Sequence, residues 1–310
     1  MGKVKLATRK SPRSVAAWLS TVLLAVAVVA SGCHVPPQPP AGRTDLERQG
    51  RHVLQLAGGC GCHGTNFAGW KAGSPDSLPR ALPYGERFVG TYGVVPAANI
   101  TQDLSGIGRW TDDQIAQAVT DGVDPSGQQL SPAMPYRAYH GMAKSDVRAL
   151  VAYLRTLPPV RNDVPAPSLQ GPLPEMGSLP PAPDTRPTED IALGRYIVRN
   201  VSFCADCHAT RIAGFREKPL LGGTITIDGK QVNVPNITPD REGGIGTWSE
   251  EEIARYLRTG TRPDGGLAQS AMAGLILTSY SHFTPTEARA VAAYLKSQIP
   301  VSMGRSRDKR

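Results

Sequence analysis

The chain has 310 residues, 40% of them hydrophobic, 19% charged and 6% aromatic, with five cysteines and a formal charge of +8. That length allows two domains of ordinary size. The positive charge does not describe a nucleic-acid footprint: it sits mainly in Lys3, Lys5, Arg9, Lys10 and Arg13 at the start and Arg305, Arg307, Lys309 and Arg310 at the end, so the stretch between is close to neutral. A nucleic-acid partner needs a basic face on a folded domain, and that class is excluded.

Residues 1–32 read as a leader. The basic segment is followed by an uncharged apolar run from Val15 to Ala30 and then by Ala30-Ser31-Gly32-Cys33, the layout of a secretory signal peptide. A cysteine directly after small residues also resembles a bacterial lipoprotein box, which makes Cys33 the expected lipid-bearing first residue of the mature chain. An ordinary signal peptide and an uncleaved anchor helix are the alternatives. The run is slightly short for a span of about 20 residues. Residues 33–43 carry Pro36, Pro37, Pro39 and Pro40 and form a stiff tether.

A first domain is expected over 44–162. Thr111-Asp112-Asp113-Gln114 resembles a capping box, and Ile115, Ala118 and Val119 then mark one helical face. Val147, Leu150, Val151 and Leu154 form the stripe of a later helix. Residues 163–187 hold eight prolines, at 165, 167, 172, 174, 180, 181, 183 and 187, and predict a semi-rigid linker, extended or wrapped along a domain surface. A second domain is expected over 188–301. There Thr224-Ile225-Thr226-Ile227, Asp228-Gly229 and Gln231-Val232-Asn233-Val234 signal a hairpin. Ser249-Glu250-Glu251-Glu252 caps a helix bearing Ile253 and Leu257. Thr284-Pro285-Thr286-Glu287 opens the last one, with Val291, Ala292 and Leu295 on its buried face. Residues 302–310 form a basic tail, expected to be a solvated end.

The two halves repeat each other. Gly50-Arg51-His52-Val53-Leu54 returns as Gly194-Arg195-Tyr196-Ile197-Val198 at an offset of 144 (50 to 194). Asn99-Ile100-Thr101 returns as Asn236-Ile237-Thr238, and Gly106-Ile107-Gly108-Arg109-Trp110 as Gly244-Ile245-Gly246-Thr247-Trp248. Tyr153-Leu154 returns as Tyr294-Leu295 at an offset of 141 (153 to 294). Self-similarity at a nearly constant offset marks a duplicated unit, here of domain size.

Within the second unit, Cys204-Ala205-Asp206-Cys207-His208 matches Cys-x-x-Cys-His, the signature of covalent c-type haem attachment. Each thiol adds across a vinyl group and the histidine lies beneath the iron. Structural zinc needs a second ligand pair, and no other cysteine pair has this spacing. A thioredoxin-like site needs a βαβ setting that is not visible. The first unit has Cys60-Gly61-Cys62-His63, one residue shorter. Attachment there is either a single thioether through Cys62 with Cys60 free, or a strained double one relaxed by Gly58, Gly59 and Gly61. The five cysteines are thereby assigned without a structural disulfide.

On these residues the chain resembles the class I mono- and dihaem cytochrome c family, in particular dihaem lipoprotein-like cytochromes and the cytochrome c subunits of periplasmic alcohol and sugar dehydrogenases. Pro235-Asn236-Ile237-Thr238-Pro239-Asp240 and Gly244-Ile245-Gly246-Thr247-Trp248-Ser249 carry the likeness, which covers 44–301. It implies a mainly α fold of two tandem cytochrome c domains, with a small β-hairpin in the second. It also implies crossing first and last helices, with Gly50 against Tyr153 and Gly194 against Tyr294. The cofactors are two haem c. The family's sixth ligand is a loop methionine, which maps to Met134 in Ser131-Pro132-Ala133-Met134-Pro135-Tyr136 and to Met272 in Ser270-Ala271-Met272-Ala273-Gly274. His63 and His208 are the opposite axial ligands. His140 and His282 are rival donors read as surface or loop histidines; His34 and His52 have no comparable support.

Histidine–methionine ligation favours ferrous iron and leaves no open position. The resemblance therefore implies a dihaem electron carrier on the periplasmic side of a bacterial membrane, held by a lipid on Cys33. Its donor is a periplasmic dehydrogenase or a quinol-linked complex; its acceptor is a terminal oxidase or a soluble cytochrome. The rival readings are a haem subunit docked in a dehydrogenase complex and a dihaem enzyme of the peroxidase or thiosulfate-dehydrogenase type. An enzyme needs one iron with a labile or unusual ligand, and a methionine in each half argues against it.

Overall fold

The structure is a computed structural model that describes residues 44–58, 63, 87–90, 93–173, 177, 179–202, 204–209, 218–227 and 230–302. These belong to one compact unit, His34–Arg310. The leader, Cys33, the Pro-rich tether and the tail beyond 302 lie outside the described residues. Among the described residues no helix is long and apolar enough to cross a membrane.

The first half runs α1 (Asp45–Leu56), β1 (Arg87–Gly90), β2 (Gly93–Pro96), α2 (Asp112–Thr120), α3 (Tyr136–Tyr139) and α4 (Lys144–Arg155), followed by β3 (Ser168–Leu169). The second runs α5 (Asp190–Tyr196), prolonged by a π-helical turn over Ile197–Val201, then α6 (Cys204–His208), β4 (Gly223–Ile227), β5 (Lys230–Val234), α7 (Glu250–Thr259), α8 (Ser270–Thr278) and α9 (Pro285–Ser297). The expected capping boxes at Thr111 and Ser249 close, and Thr284 with Glu287 adds a third, with Pro285 in the first turn of α9 as expected. Thr44 and Glu47 form a fourth on α1. The stripes on α2, α4, α7 and α9 are buried in a single apolar core that draws on both halves.

β4 and β5 form the expected hairpin, in register from Gly223↔Val234 to Ile227↔Lys230. The expectation of β structure in the second half alone needs correction: β1, β2 and β3 make a three-stranded antiparallel sheet in the first. Its short strands lack an Asn-Gly or Asp-Gly turn signal. The third strand is two residues of the Pro-rich linker, Ser168 and Leu169, paired with Val94 and Gly93. Gly93 has φ +101°, and a Cβ there would lie 2.1 Å from the Ser168 carbonyl oxygen, so only glycine lets that strand approach.

In each half the first and last helices cross at a glycine. A Cβ on Gly50 would lie 1.8 Å from the Ala149 oxygen and 2.9 Å from Tyr153 Cβ; on Gly194 it would lie 1.9 Å from the Ala290 oxygen and 2.7 Å from Tyr294 Cβ. The helix axes can approach this closely only because those side chains are missing.

The halves are joined by a reciprocal exchange of hydrogen bonds. Asp146 and Glu287 occupy the third position of α4 and α9, and both are buried. Tyr196 on α5 donates its hydroxyl to Asp146 Oδ2 at 2.7 Å, while His52 on α1, at the equivalent repeat position, meets Glu287 at 2.9 Å. Each first helix thus reaches the other half's last helix, the pattern of a two-fold-related contact. Arg186 from the linker lies between, with Nε 2.9 Å from Asp146 and Nη1 2.7 Å from Glu287. The linker also accepts the Lys144 and Ser145 amides on the Pro183 and Asp184 carbonyls. It supplies the N-terminal cap that the Ala143 side chain cannot.

Arg186 is 22% exposed and its two partners 0% and 6%, so Arg186→Ala leaves two buried carboxylates without their cation. Chemical denaturation is expected to show a loss of about 3–5 kcal/mol; a loss under about 1 kcal/mol would refute the clamp. Burial alone would raise the Glu287 carboxyl, but the His52 hydrogen bond and charge, the Thr284 amide and Arg186 outweigh it and hold it at about 2. Its stabilisation is complete above its ordinary value of 4.5 and is lost as pH falls toward 2. His282 is pushed down to about 4 by burial and by the nearby charges of His52 and Arg51, so its share is complete above 6.5 and fades toward 4. Thermal midpoints are expected to fall in two stages on acidification, the lower one missing in Glu287→Gln.

Candidate functional site

The second half encloses a cavity of about 660 Å³ lined by Cys204, Cys207, His208 and Met272, a size within the range of cofactor pockets. The helical extension after α5, the short α6, the β4–β5 hairpin and α7, α8 and α9 all contribute to its wall, which is largely apolar: Val198, Ile245, Ile253, Leu257 and Leu295 are among its side chains. Four residues that the sequence singled out, 68 positions apart at the extremes (204 to 272), share this one space.

His208 is buried, and its Nδ1 lies 2.9 Å from the Pro235 carbonyl oxygen. A carbonyl only accepts, so Nδ1 carries the proton and Nε2 keeps its lone pair. Burial lowers the imidazole pKa against the opposing pull of that hydrogen bond, which keeps the ring neutral near pH 7. A neutral imidazole oriented through its second nitrogen is a metal ligand with its outer partner in place. Burial pushes the Cys204 thiol up to about 11, against a contact of 3.7 Å with the Tyr280 hydroxyl. The Cys207 thiol is also raised by burial. Tyr280 in turn donates to the Ser202 carbonyl at 3.0 Å, fixing the entry to α6.

The Pro235 carbonyl is held by the repeated Asn-Ile-Thr. Asn236 Oδ1 accepts the Thr238 amide at 2.8 Å while its Nδ2 donates to the Val301 carbonyl at 2.8 Å, and Thr238 Oγ1 exchanges hydrogen bonds with Val301. In the first half Asn99 and Thr101 make the same set with Val160. There His63 Nδ1 lies 2.8 Å from the Ala98 carbonyl, and burial lowers its pKa likewise. The sequence shows the repeat of Asn-Ile-Thr but not its role, because the partner lies about 60 residues on, past the last helix of each half (101 to 160, 238 to 301).

Cys60 and Cys62 lie outside the described residues, as do Cys33 and His34. Met134 packs on the core in a turn ahead of α3, its amide donating to the Ser131 carbonyl. Met272 differs from the loop expectation, being in the first turn of α8. Pro135 bars Met134 from helical backbone, whereas Ala273 after Met272 allows it. His140 bonds Asp121 at 2.9 Å, and His282 sits beside His52 and Arg51. Neither lines the cavity.

The chain is 32% identical over 306 residues to a dihaem c-type cytochrome of Cereibacter sphaeroides, covering 92% of this chain and 97% of that protein. The chain belongs to the dihaem c-type cytochrome family. This cytochrome is also 31% identical over 292 residues to the cytochrome c subunit of a quinone-linked alcohol dehydrogenase from Gluconacetobacter polyoxogenes, and 32% over 279 residues to a gluconate 2-dehydrogenase cytochrome c subunit from Pantoea cypripedii. Those matches cover 85% and 81% of the chain but only 58% and 59% of the subunits, so the chain spans just under three-fifths of their length. No protein-family model matches.

One backbone feature marks the Met272 segment. Ser270 has φ +53°, the only positive value among the described non-glycine residues. That region costs a side-chain-bearing residue about 1–2 kcal/mol. Ser270→Gly is expected to raise stability by about 0.5–1 kcal/mol after the glycine's extra unfolded-state entropy, read by denaturant titration.

Proposed function

We propose that this cytochrome is a one-electron carrier with two haem c groups, tethered to the periplasmic side of a bacterial membrane through a lipid on Cys33. It takes electrons from a periplasmic dehydrogenase or a quinol-linked donor and hands them to a terminal oxidase or a soluble cytochrome. Residues 44–162 and 188–301 act as its two cytochrome c domains, with 163–187 as the linker. The observation that carries the reading is the matched pair of histidines, His63 and His208, each with Nδ1 on a backbone carbonyl and Nε2 left for a metal. In the second half that histidine shares a cavity with two thiols and a thioether.

Haem c supplies the one-electron iron centre. Cys204 and Cys207 would provide the sulfurs that hold it, His208 Nε2 and Met272 Sδ would ligate its iron, and Val198, Ile253, Leu257 and Leu295 would form a water-poor wall. His63 and Met134 would ligate the iron in the first half, with Cys62 and Cys60 as the attachment sulfurs. A soft thioether opposite imidazole favours the reduced metal, and the apolar wall acts in the same direction. With a histidine and a methionine both given to each iron, the chain would pass electrons and leave no position for substrate.

The similarity to cytochrome subunits of alcohol, gluconate and fructose dehydrogenases favours one further reading, a haem subunit docked on a dehydrogenase. Purification of the full chain from native membranes separates the two, because a docked subunit co-purifies with a large catalytic chain. Two covalent haems per chain are expected, and Met272→Ala is expected to abolish one methionine-to-iron absorption band and lower one potential. Turnover with peroxide or thiosulfate would overturn the carrier reading.

A further inference from the structure

We propose that the second cavity has a carboxylate-binding edge, formed by Arg262 and Tyr256 over Gly266, at positions where the first half carries Asp124 and Ala118 instead. This edge makes the second haem the higher-potential one, so that electrons entering at the first come to rest on the second. The inference rests on the two-haem reading above.

The starting observation is a duplicated turn with an inverted charge. Residues Gly122–Gln129 and Gly260–Leu267 align without a gap at an offset of 138 (122 to 260). Both begin with a left-handed glycine, Gly122 at φ +65° and Gly260 at +74°, and both carry a second one, Gly127 at +83° and Gly265 at +81°. Both close with the same bridge, Val123↔Gln129 and Thr261↔Leu267. The Asp124 amide donates to the Gln128 carbonyl at 2.9 Å and the Arg262 amide to the Gly266 carbonyl at 2.8 Å. On one backbone, then, Ala118, Asp124 and Gln128 of the first half stand where the second has Tyr256, Arg262 and Gly266.

These three exchanges act together. Asp124 turns its carboxylate onto its own loop, accepting the Ser126 amide and hydroxyl and the Gln128 amide at 2.6–2.9 Å. Arg262 instead lines the cavity with Tyr256 and Trp248. One of its terminal nitrogens, Nη2, meets Asp264 at 3.1 Å, but its Nε is buried with no hydrogen-bond partner among the described residues. The guanidinium lies directly over Gly266: a Cβ there would stand 2.3 Å from Nη2 and 2.8 Å from Nε. Any larger residue would push the group away. Burial raises the pKa of the Tyr256 phenol and the charge of Arg262 opposes that rise, so the two side chains are within electrostatic reach.

A buried guanidinium N–H without an acceptor is costly. A carboxylate is the anion whose geometry fits that fork, and haem carries two propionate carboxylates. The fit therefore comes from the donor set: a cation, a phenol and an indole on one edge of a cavity otherwise lined with apolar groups and haem-attachment residues. A positive charge beside a redox metal favours the reduced state and a negative one disfavours it. Arg262 thus raises the second potential, and Asp124 at the equivalent place lowers the first.

The test uses the full holoprotein. A pyridine haemochrome count comes first, since a wild-type count of one haem would sink the two-haem reading itself. An optical redox titration is then expected to show two one-electron waves. Arg262→Gln should lower the upper wave by about tenfold in its equilibrium constant, about 59 mV, and leave the lower wave in place. Arg262→Lys should recover most of that loss, Tyr256→Phe should lower the same wave less, and Asp124→Asn should raise only the lower wave. If Arg262→Gln fails to retain both haems, Arg262→Lys and Tyr256→Phe carry the test on the upper wave. A shift of the lower wave by these second-half variants would overturn the order of the potentials, and no shift of either wave would overturn the carboxylate edge.

Discussion

Two carboxylates, Asp146 and Glu287, are buried where the halves of this cytochrome meet, and they share one guanidinium, Arg186, with His52 also on Glu287. Charges out of water must be paired or they expel themselves by unfolding. That requirement ties three distant pieces of chain to one point: the start of α4, the start of α9 and the end of the Pro-rich linker. The linker has little freedom as a result, because its carbonyls cap α4 and its Ser168–Leu169 segment extends a sheet. The reciprocal bonds of His52 and Tyr196 then hold the halves in a two-fold relation.

Within each half a second constraint places the repeated histidine, His63 or His208. Helices pack at a bare glycine, the chain beyond the last helix returns to the Asn-Ile-Thr loop, and that loop presents one carbonyl to one imidazole. The ring is oriented through hydrogen bonds that reach the far end of the half. Ligand geometry and helix packing are therefore parts of the same framework. A change at Asn236 or Thr238 acts on His208 without touching it.

Duplication supplied two equivalent frameworks, and side-chain exchange made them different. The capping boxes, crossing glycines and carbonyl–histidine bonds are shared. Two exchanges, Arg262 against Asp124 and Tyr256 against Ala118, sit on matching backbone, while the helical setting of Met272 against the turn at Met134 changes the backbone as well. A pair of centres with unequal surroundings has a direction, which two identical ones would lack.

The sequence alone carried the chemistry and the repeat. Cys-x-x-Cys-His is local, its spacing being a property of one helical turn, and capping boxes and the Asp-Gly hairpin are likewise decided within a few residues. The crossing glycines were legible because the duplication displayed each beside its partner tyrosine. What the sequence did not show is what depends on groups far apart in the chain. His52 looked unsupported until Glu287, 235 positions on, stood beside it; Arg186 looked like one cation in a polyproline linker; the two-residue strand at Ser168 had no pattern to read. Local spacing thus determined which residues bear the chemistry and how each helix begins. Only the tertiary structure decided how the halves face each other, which carbonyl orients each histidine, and where the buried Nε of Arg262 lies without an acceptor, because burial and charge pairing exist only once distant segments have packed.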